Sequence, residues 1–203
     1  MQKYQSTTPD WLYCEPAVDF SNNREIKKEL ILLHSRNKKE FLTDFSSTFG
    51  QLNRNLAIAQ CPTLCAELKK LDILKCLLGV VYVSIVHDKA WAIHCDVITD
   101  IGLNIPLINC HDTYTVWYDT EILDQRLPEY SVGTSLARTG RICNVENAKE
   151  IGRCDANKSY WINTNVPHRP ETHHDKFRLA ASLRFDPEPL DEKGQLFPHL
   201  IKC

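Results

Sequence analysis

Over residues 79–185 the chain is a succession of short β-type runs separated by turn residues, and this texture leaves few folds open to it. Val80-Val81-Tyr82-Val83-Ser84-Ile85-Val86 is a β-branched run, and Ala90-Trp91-Ala92-Ile93-His94-Cys95-Asp96-Val97 alternates. Residues 103–108, 114–118, 160–166 and 177–185 continue the pattern. Short strands in such a series pack as an antiparallel sandwich or barrel of the jelly-roll type. Residues 119–159, rich in charge and containing Gly133, Gly140 and Gly152, read as an insertion or long loop region in which short strands can hide.

The first part of the chain has a different period. Ser21-Asn22-Asn23 places capping residues before a helix that starts near Arg24, with Ile26, Leu30, Leu33 and Phe41 at helical spacing. A second helix is predicted over 63–76. Leu64, Leu68, Leu71 and Leu74 follow one side of it, and Glu67, Lys69 and Lys70 the other. Both helices read as a layer supporting a sheet. The expected architecture is a single, mainly β domain over 1–203. It has a largely helical supporting layer at 1–78, the β core at 79–186 and an irregular tail at 187–203 after Asp186-Pro187-Glu188-Pro189.

Composition excludes several function classes. With 24 basic and 26 acidic residues the net charge is −2, which argues against nucleic acid or an anionic membrane as partner. The apolar run at 73–86 is interrupted by Lys75, Gly79 and Ser84 and is too short to span a bilayer. The first residues lack the apolar stretch of a signal peptide, so a cytoplasmic location is expected. Nine cysteines are irregularly spaced; Cys61 and Cys65 form a close pair that no second pair answers, which favours free thiols over a structural zinc.

The residues that carry chemistry are His94-Cys95-Asp96, then Pro167-His168, then Arg178 ten residues after that histidine. On a strand, His94 and Asp96 share one face with Ala92, while Ile93, Cys95 and Val97 share the other. Two histidines and a carboxylate form the facial set that holds ferrous iron and leaves positions open. An arginine beyond the second histidine offers a fork for a carboxylate. A competing arrangement exists, because His174 and Arg184 are also ten apart; His168 with Arg178 is preferred because a strand leads directly into His168. His173-His174-Asp175 reads as loop, and His111-Asp112, being adjacent, point apart on a strand.

These residues resemble the Fe(II)/2-oxoglutarate-dependent dioxygenase superfamily over roughly residues 80–185. The resemblance implies a double-stranded β-helix, the jelly-roll or cupin-like core. It implies Fe(II) held by His94, Asp96 and His168, with 2-oxoglutarate and O2 as co-substrates and Arg178 binding the distal carboxylate of the oxo acid. Members often carry Ser or Thr two residues after that arginine; Ala180 stands there, and Ser182 on the same face is the candidate replacement. The implied activity is hydroxylation of a protein side chain or a small amino-acid-like molecule.

Other candidates surround this set. Asn104 and Asn109 could bond a co-substrate carboxylate, or could serve strand ends and turns. Trp117, Tyr118 and Arg184 could contact substrate, or could be sheet packing and a surface ion pair. Residues 119–159 and the loop 169–176 are where substrate selection is expected. Two rival readings remain. One is a cupin-like metal protein without oxo-acid dependence, which has no need of Arg178. The other is a non-catalytic jelly-roll binding module, which binds no iron.

Overall fold

Asn23 starts the first long element. Its side-chain carbonyl accepts from the backbone N–H groups of Glu25 and Ile26, satisfying donors that a helix start leaves over. The computed structural model describes residues 11–37, 42–43, 47–85, 92–96, 99–126 and 140–202. The expectations placed on Phe41, Val86, Ala90, Trp91, Val97 and Gly133 lie outside the described residues.

In chain order the elements are β1 (Tyr13–Cys14), α1 (Arg24–Arg36), β2 (Leu42–Thr43), β3 (Ser47–Asn53), α2 (Arg54–Gln60), α3 (Pro62–Lys70) and β4 (Leu77–Ile85). Then follow β5 (His94–Asp96), β6 (Ile101–Ile108), β7 (Thr113–Asp119), β8 (Ile122–Arg126), β9 (Gly140–Cys143) and β10 (Lys149–Asp155). The last three are β11 (Tyr160–Asn163), β12 (His168–Thr172) and β13 (Arg178–Phe185).

Two antiparallel sheets result, ordered β1-β11-β6-β13-β4-β3-β2 and β10-β7-β12-β5-β9-β8. From β4 to β7, and again from β11 to β13, each successive strand goes to the opposite sheet. That alternation makes the core a jelly roll, and the protein is mainly β.

Strand parity assigns the two faces of β13. Leu179, Ala181, Leu183 and Phe185 join the large core cluster with Ile26, Leu30, Leu33, Leu64 and Leu68 of the helical layer. Burying one such side chain contributes about 1.5–3 kcal/mol. Arg178, Ala180, Ser182 and Arg184 therefore face the other sheet.

Several expectations need correction. The helix predicted over 63–76 stops at Lys70, because Asp72 takes a left-handed backbone (φ 54°) and a separate short turn covers Leu74–Cys76. β3 lies in the stretch read as helical, yet it pairs with β4 along its whole length. Its Ser, Gly, Gln and Asn give little β signal, and the neighbouring strand decides its conformation. Residues 119–159 contribute β8, β9 and β10 to the second sheet.

His168 does not end the preceding strand. β11 stops at Asn163, the chain crosses between sheets at 164–167, and His168 opens β12, which takes up much of the expected loop 169–176. Pro167 restricts the residue before it and has no N–H for a ladder, so the crossing falls where pairing would be weakest. The irregular tail packs down: Leu196 and Leu200 are buried, and Trp161 Nε1 donates to the Leu200 carbonyl at 3.0 Å. Among the described residues no helix is long and apolar enough to cross a membrane.

Candidate metal centre

β12 pairs with β5 so that His168 lies directly opposite His94. Partners in register share a face, and the two imidazole centroids are 4.7 Å apart. Asp96, two residues along β5, shares the same face, with Oδ1 3.6 Å from His94 Nε2. One ligand atom from each of His94, Asp96 and His168 lies within 4.8 Å of the other two. Cys95 points the opposite way, into a small cluster with Ile93, Val116 and Cys143.

Both rings are oriented alike. His94 Nδ1 contacts the carbonyl of Ala92 and His168 Nδ1 that of Val166, each at 2.9 Å. A carbonyl only accepts, so each Nδ1 carries a proton and each Nε2 is the nitrogen turned toward the cluster. Burial, and after it the neighbouring His94, lowers the pKa of His168 to about 4. The ring is therefore neutral at physiological pH, the form a metal requires. Two imidazole nitrogens and one carboxylate oxygen form a donor set that suits Fe(II) and similar first-row ions.

Arg184 corrects the surface-ion-pair reading made from the sequence. Its ion pair is buried: Nη2 lies 2.6 Å from Asp96 Oδ2, and Nη1 donates to Thr164 Oγ1 at 3.3 Å. The guanidinium thus holds one oxygen of Asp96, while the other faces the imidazoles. The competing pair of His174 with Arg184 does not form. His174 Nε2 contacts the Asn109 carbonyl at 3.0 Å, its Nδ1 accepts from the Lys176 N–H, and its ring stacks on His111.

A cavity of about 40 Å³ lies between the sheets. His94, Asp96 and His168 line it from one side; Asn104, Arg178, Ala180, Ser182 and Arg184 line it from the other. Arg178 and Arg184 enter it from positions roughly 20 Å apart along β13. Arg178 is 2% exposed, and its Nε and Nη1 have no hydrogen-bond partner among the described residues. Burial lowers its pKa, with the Cys110 and Cys154 thiols nearby, yet a guanidinium keeps its proton. Ser182 Oγ and Asn104 Oδ1 are likewise buried without a partner among the described residues. Buried polar atoms are rarely left so, and here three side chains facing one cavity share the condition.

Other sequence candidates are not brought to this cavity. Asn109 takes a left-handed turn conformation (φ 47°) and its amide donates to the Phe177 carbonyl. Trp117 sits in the same row as His168, but its indole donates to the Asn163 carbonyl and stacks on Tyr13. Tyr118 lies on the opposite face, where its hydroxyl donates to Glu171. Conversely, Val83, Thr115, Ile162 and Pro170 line the cavity without having been singled out. Strand parity was the available signal for Val83 and Thr115, once the inward face of each strand is known.

No family model matches the sequence, and no curated protein matches it. Solved structures similar to the fold include a serine-to-alanine mutant of oxalate decarboxylase OxdC from Bacillus subtilis, at 8% identity and a TM-score of 0.38. The match covers 72% of this chain and 28% of that one. Another is ycfD from E. coli, at 10% identity and a TM-score of 0.38, covering 68% of this chain and 33% of that one. This chain thus spans about a third or less of each of these structures.

Proposed function

We propose that the protein is an Fe(II)- and 2-oxoglutarate-dependent oxygenase that hydroxylates a protein side chain or a small amino-acid-like molecule. The observation that carries this reading is one cavity holding both the His94/Asp96/His168 cluster and the buried guanidinium of Arg178, whose Nε and Nη1 have no partner among the described residues. Two guanidiniums against a single carboxylate leave that cavity positive, and a divalent ion adds to the imbalance. A dicarboxylate that ligates the ion at one end and meets Arg178 at the other answers both demands.

In this reading His94, Asp96 and His168 hold the iron through Nε2, Oδ1 and Nε2. Arg178 receives the distal carboxylate as a fork. Ser182 and Asn104 offer further hydrogen bonds to the same ligand, with Ser182 standing in for the residue that Ala180 lacks. Bound iron with 2-oxoglutarate and O2 supplies an oxidative decarboxylation coupled to C–H hydroxylation. The protein binds, orients and shields the reacting groups. A cupin-like metal protein without oxo-acid dependence leaves Arg178 unexplained, and a binding module leaves the whole cluster unexplained.

The test is thermal unfolding with Mn(II) as an inert surrogate, with and without 2-oxoglutarate. Metal should stabilise the wild type, and the oxo acid should add to it by linkage. His94→Ala and Asp96→Ala should abolish the metal effect; variants that respond like wild type end the proposal. Slow succinate formation with Fe(II) and no added substrate separates the oxygenase from both rivals.

A further inference from the structure

We infer that Thr164 is a positioning residue that, through Arg184, sets Asp96 as a one-oxygen ligand. The inference rests on the metal reading above.

Thr164 is fully buried in the crossing between β11 and β12. Its carbonyl accepts from the Asp96 N–H at 2.8 Å, and its own N–H donates to the Asp100 carbonyl at 2.7 Å. Its hydroxyl donates to the Thr99 carbonyl at 2.8 Å, which turns the oxygen's lone pairs toward Arg184 Nη1 at 3.3 Å. Arg184 Nη2 then holds Asp96 Oδ2 at 2.6 Å. The contacts close a ring: Thr164 holds the main chain of Asp96 directly and its carboxylate through Arg184. With both ends tied, the carboxylate keeps one rotation, in which Oδ1 faces His94.

This geometry has a chemical consequence. A carboxylate that swung round to offer both oxygens would occupy a second position on the metal. A facial set with three open positions would keep two, too few for a chelating oxo acid together with O2. Thr164 is thus tied to what the site can bind as well as to how firmly it binds metal.

The test compares Thr164→Val, which keeps the shape and removes the hydroxyl, with Thr164→Ser, which keeps the hydroxyl. Mn(II) affinity and the Mn(II) EPR line shape are read alongside unfolding of the metal-free protein. Thr164→Val should bind Mn(II) about tenfold more weakly with an altered line shape, and Thr164→Ser should stay within about twofold of wild type with the native line shape. Lower stability in Thr164→Val with native affinity and line shape would make the residue merely structural and overturn the inference. So would a Thr164→Ser variant as weak as Thr164→Val. Wild type that binds no Mn(II) sinks the metal reading as well, whereas wild type that binds it while Thr164→Val matches sinks this inference alone.

Discussion

Replacing Arg178 by methionine should make the metal-free protein more stable. The guanidinium is 2% exposed, and two of its nitrogens find no acceptor among the described residues. A buried donor left without a partner costs about 1–3 kcal/mol, and exchanging buried charge for a packed apolar chain gains about 1–4 kcal/mol in known cases. Methionine keeps most of the stem and loses the contact with the Cys110 thiol. A net gain of about 2 kcal/mol follows, or ~4–8 °C in Tm for a chain of this length. Urea unfolding and calorimetry without metal measure it. The same variant should lose the response to the oxo acid. Wild type with Mn(II) gains a further ~2.7 kcal/mol when 2-oxoglutarate is present at about 100 times its Kd. Arg178→Met should keep the metal increment and lose most of that addition. A variant less stable than wild type by more than about 1 kcal/mol would refute the claim that this charge is held at a cost. A full oxo-acid increment in the variant would refute its role as the carboxylate's partner.

Acid should weaken the metal-free protein through His168. Its folded pKa of about 4 lies below the unfolded value near 6.5, so the unfolded chain binds the extra proton first. The contribution is fully present above pH ~6.5 and is lost as pH falls toward 4, amounting to about 3 kcal/mol. Urea midpoints of wild type and His168→Asn across that range check it; parallel curves would show that His168 is not held neutral. Gly102→Ala should disturb the site from β6. A Cβ there would stand 2.6 Å from Arg184 Nη1 and 2.8 Å from Ser182 Oγ. Arg184 must then leave Asp96 or Thr164, so a loss of about 1–2 kcal/mol and about tenfold in Mn(II) affinity is expected. Native affinity measured by EPR titration would mean that the side chain yields without losing its partners.

Much of the cluster could be read from the chain because it depends on local periodicity. The two-residue repeat of a strand puts His94 and Asp96 on one face and Cys95 on the other wherever that strand lies. The Asn23 cap and the spacing of Ile26, Leu30 and Leu33 are local in the same sense. Failures came where neighbours decide. β3 has weak propensity and exists because β4 offers it a ladder. β12 contains Pro170 and charged residues, and it looked like loop until β7 and β5 flanked it. Asn109, Trp117 and Tyr118 were placed near the right strands, but which way each side chain is turned depends on partners far away in sequence.

The sequence by itself determined which residues can share a face and which chemistry their side chains can offer. It determined, for instance, that Arg178 and Arg184 project from the same side of β13. Only the tertiary structure decided that one of them meets Asp96 while the other is buried with no carboxylate partner among the described residues. The reason is physical: parity along a strand is set by covalent geometry, whereas the choice of partner is set by which strands of the opposite sheet lie across the cavity. That choice was made by long-range pairing between segments that the linear order keeps apart.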